Sequence, residues 1–308
     1  MPITPYVLQP EWEWPITIAL FIAGVAAGTY SVMGLMHFAG DARDRVVADR
    51  LGLIPFPLML IVPILLIIDL GQPERFLNLI FRSPGAVERG PSPFMLNTNS
   101  PMSSGGYVIT IFAGFALIAF LDSLRRTRGW NVPLVGMLEG NKVWLAIGEL
   151  LAITTSAYSG VLINVTNQGV WGDTFLMGAL FVAFSELSGM AVAAIVAGRA
   201  KALETALAVR TGLFWFAAIS AVLLVLFLAG LAAANDGSLA ALTLSMLVGP
   251  AFWIGAVGLA ILVPLVVVGR PRMMPGPERL TLIGALVLVG VLAFRYAMFF
   301  SAIAYAAS

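Results

Sequence analysis

Cysteine is absent, which excludes disulfides, thiol chemistry and cysteine-held iron–sulfur clusters within this protein. A single histidine, His37, leaves no pair of axial ligands for a haem between two helices, and no spacing of His, Asp and Glu forms a metal site. Charge is scarce as well. Asp, Glu, Lys and Arg make up 11% of the 308 residues, where a soluble domain carries about 25%. The net charge of +1 gives no electrostatic footprint for nucleic acid. No P-loop and no dinucleotide fingerprint occurs. The opening "MPITPYVLQPEWEWP" lacks the basic segment of a cleaved signal peptide, so the first apolar run is expected to insert and stay.

What remains is apolar: 60% of residues are hydrophobic, and the mean hydropathy is +0.96. Apolar runs of about 20 residues, enough to cross a bilayer, recur near 15–39, 51–70, 103–122, 142–163, 172–197, 206–232, 245–268 and 280–305. The expected fold is all-α, a polytopic membrane protein of eight transmembrane helices arranged as two four-helix bundles, 1–163 and 164–308. The longest connection, 71–102, is rich in Pro, Gly, Ser and Asn and too short for a soluble domain.

Basic residues set the orientation. Arg43, Arg45, Arg50, Arg125, Arg126, Arg128, Lys142, Arg199, Lys201, Arg210, Arg270, Arg272 and Arg279 follow the odd-numbered runs, whereas only Arg75, Arg82 and Arg89 fall on the other side. Odd-numbered connections therefore belong in the cytoplasm. Both termini and the 71–102 loop belong outside, in the periplasm of a bacterial inner membrane. Trp12, Trp14, Trp171 and Tyr305 then fall at the outer interface, where amphipathic rings settle. Gly24 and Gly28 form a GxxxG pair expected to bring the first helix close to a neighbour.

Ionisable side chains at membrane depth are costly and mark functional candidates. Counting about 1.5 Å of rise per residue from the run ends places them in depth. Asp69, in "LLIIDLGQPERFLNLIF", ends the second run at the outer level. Tyr158 lies about 24 Å from the inner edge and Arg295 about 22 Å, so the three share a layer. Glu149 and Glu186 lie deeper, toward the cytoplasmic half, and His37 stands at the inner end of the first run. Asp69 occupies a last helical turn, where unpaired carbonyls already carry partial negative charge. A carboxylate so misplaced suits proton uptake and release, with Gly71 expected to stop the helix. An ion pair with Arg75 or Arg295 would account for the same residue structurally. Tyr158 sits in "TTSAYSGVLINV" beside Ser156, Ser159 and Gly160, with Asn164, Asn167 and Gln168 above. Space, a phenol and a nearby acid suit a flat ligand with two oxygens; an interfacial-belt tyrosine is the plainer reading. Glu149 and Glu186 read as a proton path or as buried carboxyls bonded to neighbouring helices.

Four stretches, "EWEWPITIALFIAGVAAGT", "DLGQPERFLNLIF", "SPMSSGGYVITIFAG" and "AYSGVLINV", occur in that order. Together they resemble the integral membrane subunits of the NrfD/PsrC family, as in polysulfide reductase. The resemblance implies a haem-free subunit that binds menaquinone or ubiquinone near the outer face of its first bundle. It also implies electron exchange with a periplasmic ferredoxin-like [4Fe–4S] subunit, and through it with a molybdenum or tungsten catalytic subunit or a multihaem cytochrome. Tyr158 matches the family's quinone-bonding tyrosine. The Asn and His that polysulfide reductase offers early in the first helix fall on Ile16 and Ala19. Asp69 fits branches that use a carboxylate at the end of the second helix. The expected site is thus Asp69 and Tyr158, with Arg75, Arg295, Ser156 and Asn164 around them and Glu149 and Glu186 as a proton path. A small-solute or ion transporter and a passive membrane anchor are the alternatives. Pro63 and Pro264 do not occupy matching places in the two halves, which counts against the first.

Overall fold

The computed structural model describes residues 14–70, 72–76, 100–130, 141–166, 168–268 and 276–306. Every regular element among the described residues is helical: α1 (Trp14–Ala39), α2 (Arg45–Leu51), α3 (Pro55–Ile68), a 3-10 turn at Pro73–Arg75, α4 (Pro101–Arg128), α5 (Lys142–Asn164), α6 (Met177–Ala200), α7 (Leu203–Ala234), α8 (Ser238–Thr243), the π-wound α9 (Ala251–Val268) and α10 (Pro277–Ala306). Eight of these segments are long and apolar enough to cross a membrane, with α2 and α3 counting as one. The expectations for Trp12, Gly71, Arg82, Arg89, Asn167, Arg270, Arg272 and most of the 71–102 connection lie outside the described residues.

Local chemistry explains the boundaries. Ser100 caps α4 by accepting a hydrogen bond from the Ser103 N–H (3.4 Å), and Pro101 occupies the first turn, where a missing N–H costs nothing. Asn141 caps α5 by accepting from Val143 and Trp144 (3.0 and 3.2 Å). Gly129, at φ +69°, ends α4 in the left-handed conformation that glycine adopts without strain.

The helices are not equivalent. The most apolar stretch is 83% buried in α1 and 78% in α6, against 28% in α3, α4 and α7, so α1 and α6 form the spine. Helices α1, α3, α4 and α5 pack each against the next in a ring; α6, α7, α9 and α10 do the same; α1 against α6 is the main seam. At that seam Gly28 abuts the Ser185 and Glu186 backbone, and Gly189 abuts the Gly28 carbonyl. A Cβ on either would overlap main chain, so the Gly28 expected to bring α1 close to a neighbour does so against α6.

One expectation is overturned between α5 and α6. The fifth span begins at Met177, not near 172, and the preceding residues fold back into the bundle. Trp171 is therefore no interfacial-belt residue. It is 1% exposed, its indole N–H donates to the Met298 carbonyl (2.6 Å), and its ring meets Phe299 edge-on. Asn164 holds the turn, donating from Nδ2 to the carbonyls of Trp171 (2.7 Å) and Thr174 (2.9 Å). Trp14, at the start of α1, is 59% exposed and keeps its place at a surface.

Candidate functional site: two cavities in one helix ring

A cavity lies at each end of the first helix ring, one walled by α1, α3, α4 and α5 and the other by α1, α2, α4 and α5. The first, of about 360 Å³, lies at the end where α1 begins and α3 finishes. Its walls are Ile16 and Leu20 of α1, Pro63, Leu66 and Ile67 of α3, Met102, Gly106, Ile109 and Thr110 of α4, and Leu162 of α5, with Leu70 and Phe76 beyond α3. Against these apolar walls stand two side chains able to exchange protons, Asp69 and Tyr158. Asp69 is the C-cap of α3, its N–H bonded to the Leu65 carbonyl (3.1 Å). The Tyr158 phenol donates to the Met102 carbonyl (3.3 Å). Its ring lies over Gly105, where a Cβ would overlap it, so the "SGG" of α4 makes the tyrosine's seat. A Cβ on the adjacent Gly106 meets nothing within 4 Å, because that residue faces the cavity.

The acid and the phenol placed at one depth by residue counting thus share a cavity. Other expected members do not join them. Arg75 is exposed on the 3-10 turn and stands outside the cavity wall. Asn164 is spent on the α5–α6 turn. Ser156 is fully buried off the cavity wall, and its hydroxyl lacks a hydrogen-bond partner. Arg295 points into the α1–α5–α6–α10 junction instead of toward Asp69. There it is 0% exposed and donates to Ser159 Oγ (3.1 Å), Ser185 Oγ (2.8 Å) and the Phe181 carbonyl (3.5 Å), with its guanidinium 4.0 Å from the Phe181 ring centre. Gly24 leaves room for it; a Cβ there would stand 2.7 Å from Nη2. Residue counting missed Gly105, Gly106 and Ile16 as parts of the site. The double glycine inside an otherwise apolar helix was the available signal, since glycine there costs helix stability and needs a reason.

Deeper, at the seam between the two rings, Glu149 of α5 and Glu186 of α6 come close enough for their charges to act on one another. The Ser31 hydroxyl of α1 lies beside both. Glu186 is 8% exposed. Glu149 Oε2, Glu186 Oε1 and Ser31 Oγ have no hydrogen-bond partner. Tyr30, 1% exposed, packs edge-on against Phe112 and lies next to Glu149, and its hydroxyl is likewise unpartnered. Tyr30 also forms part of the second cavity, of about 280 Å³, at the opposite end of the ring. There the lining is charged: His37, Arg45, Asp122, Arg126 and Lys142 stand around Met33, Ser123 and Trp144. Arg126 Nε meets Asp122 at 2.9 Å and Asp49 at 3.7 Å, tying α2 to α4 beside the opening. His37, placed from sequence at the inner end of the first run, is part of this lining.

Comparison with known proteins identifies the family. Residues 8–307 match the family described as polysulphide reductase, NrfD. The sequence is 26% identical over 308 aligned residues to the protein NrfD of Escherichia coli (strain K12), covering 92% of each. It is also 26% identical over 317 aligned residues to the C subunit of polysulfide reductase from Wolinella succinogenes, again covering 92% of each. With the match running through both helix rings and both cavities, the protein belongs to the NrfD polysulphide reductase family of membrane proteins.

Proposed function

We propose that this protein is the quinone-reactive, haem-free membrane subunit of a respiratory oxidoreductase complex. In this reading residues 1–163 and 164–308 are its two four-helix units. The cavity holding Asp69 and Tyr158 faces the periplasm and the charged cavity faces the cytoplasm of a bacterial inner membrane. The observation that carries the reading is the pairing of one carboxyl and one phenol on the walls of an otherwise apolar cavity. A lipid-soluble carrier with a flat head and two oxygens suits such a space, menaquinone and ubiquinone alike. The outward face of α3, with Ile64 and Ile68 more than half exposed, offers it a route from the membrane.

Oxidation of a quinol releases two electrons and two protons, and reduction takes up the same. The carboxylate of Asp69 accepts or returns one of those protons, and the phenol of Tyr158, trading its bond to Met102 for one to the ligand, passes the other between the second oxygen and water at the outer face. Apolar walls exclude water and keep the ring in register with these groups. Electrons pass to or from a periplasmic ferredoxin-like [4Fe–4S] subunit docked over the Pro73–Arg75 turn, and beyond it to a molybdenum or tungsten subunit or a multihaem cytochrome. Glu149 and Glu186 form a proton path toward the cytoplasm. Like charges repel in a low-dielectric interior, so two adjacent carboxyls are well placed to hold and hand on a proton.

The test is the assembled complex with Asp69→Asn and Tyr158→Phe, assayed for quinone-linked electron transfer. Loss of turnover with the complex intact supports the reading. Full activity would make the protein a passive anchor.

A further inference from the structure

Some polar groups taken from water here find partners: the Trp171 indole and the half-buried Asn164 amide and Arg210 guanidinium all reach carbonyls. Isolated hydroxyls of Thr17, Thr29, Ser156 and Ser220 do not, and neither does a cluster at the α1–α5–α6 junction. The hydroxyls of Tyr30 and Ser31 and one carboxyl oxygen each of Glu149 and Glu186 are buried and neighbouring, and none makes a well-formed hydrogen bond within the protein, although the single Ser31 hydroxyl lies within reach of both carboxyls. Each such group costs about 1–3 kcal/mol when left dry, so four together call for a polar occupant, and water is the usual one. Glycine gives these side chains the room they occupy. A Cβ at Gly148 would overlap the Tyr30 hydroxyl, and one at Gly34 would stand 3.1 Å from Glu149 Oε2. Tyr30 also lines the charged cavity, so the cluster and the cavity meet at its phenol.

We infer that the charged cavity is a hydrated vestibule through which the Glu149–Glu186 pair exchanges protons with the cytoplasm, with the Tyr30 phenol as the link. This rests on the proposed role of the carboxyl pair as a proton path. A proton arriving on vestibule water is accepted by the phenol oxygen as its own hydroxyl proton moves toward Glu149. The phenol ends unchanged and the carboxylate loses its charge. The titratable and charged groups facing this route are His37 of α1, Arg45 and Asp49 of α2, Asp122 and Arg126 of α4 and Lys142 of α5. Asp122 and Asp49 hold Arg126 at the side of the opening, and Arg45 and Lys142 stand at its rim.

The absence of native cysteine makes the test direct. Ser123→Cys on the cavity wall and Ser31→Cys beside the carboxyls are placed singly in the full-length protein. They are treated with a membrane-impermeant cationic methanethiosulfonate, from the inner face in inverted vesicles and from the outer face in spheroplasts. Both cysteines are expected to react from the inner face, about tenfold or more faster than from the outer one, because only a solvated thiolate reacts. A Ser31→Cys protein that is unreactive from inside, while Ser123→Cys reacts, overturns the proposal; so does reaction from the outer face alone. A second readout is infrared hydrogen–deuterium exchange of the buried carboxyl band, assigned by its loss in Glu186→Gln. Tyr30→Phe is expected to slow that exchange about a hundredfold or more, the scale of one lost proton-transfer partner. Unchanged exchange removes Tyr30 as the link. Neither readout uses quinone, so failure of the Asp69–Tyr158 reading would leave these results intact. If labelling and exchange hold while Glu149→Gln with Glu186→Gln leaves proton stoichiometry unchanged, the vestibule stands and the conduit role of the carboxyls falls.

Discussion

The two cavities are built by largely the same helices and differ in almost everything else. At the end where α1 begins, Ile16 and Leu20 present alkyl groups, and polarity is confined to Asp69, Tyr158 and Thr110. At the other end, α1 presents Tyr30, Met33 and His37, and α4 presents Asp122, Ser123 and Arg126. A helix in a membrane is a ruler with one scaffold and two chemistries, and the residue pattern at each end decides what enters. In the proposed reading the apolar chamber with its two proton-exchanging groups takes a greasy ring from the side, and the charged one takes water from the aqueous phase.

The sharpest way to break this contrast is to remove the polar pair of the apolar chamber. Asp69→Asn with Tyr158→Phe is expected to lower quinone-linked turnover by about a hundredfold or more, the usual weight of a positioned acid–base group, measured in the assembled complex. Next in size is a steric test. Gly106→Phe projects into open space and is expected to cut affinity for a quinone analogue by about tenfold or more, because lost apolar contact area costs roughly 25 cal/mol per Å²; Gly106→Ala should bind as before. By contrast Gly105→Ala must move the Tyr158 ring, and turnover should fall although the change is only one methyl. If Gly105→Ala and Gly106→Ala behave alike, the seat assigned to the tyrosine is wrong. On the charged side, Glu149→Gln with Glu186→Gln is expected to lower protons moved per quinone in liposomes while electron transfer persists. The smallest effect is Ser156→Ala. The hydroxyl it removes is buried without a partner, so quinone-linked turnover should not change and thermal stability in detergent should rise, by up to about 1–3 kcal/mol.

Sequence reasoning recovered depth and lost direction. Rise per residue put Asp69, Tyr158 and Arg295 in one layer, but helices also have azimuth. Arg295 turns toward Ser159 and Ser185, whereas Tyr158, one residue from Ser159, turns about 100° away toward α4. Depth alone could not separate these neighbours. Hydropathy likewise recovered the spans, because each must fill the bilayer with apolar residues. It misjudged Trp171 because a connection can fold back into the bundle without any change in composition. Asn164, counted as part of the site for its polar head, serves that fold-back. The glycines were legible as close packing but not as room: Gly24, Gly34 and Gly148 accommodate Arg295, Glu149 and Tyr30.

Arg295 also bears on how the protein is made. Its guanidinium donates from Nη1 and Nη2 to hydroxyls and a carbonyl of α5 and α6 and lies over the Phe181 ring, with no carboxylate bonded to it and Nε without a partner. Alone in lipid, the last helix would carry that cation without those partners, at a cost of several kcal/mol. Biogenesis should therefore end with α10 docking directly onto helices already released from the insertion machinery, so that a polypeptide truncated before residue 277 leaves a receptor groove and the detached helix inserts poorly without it.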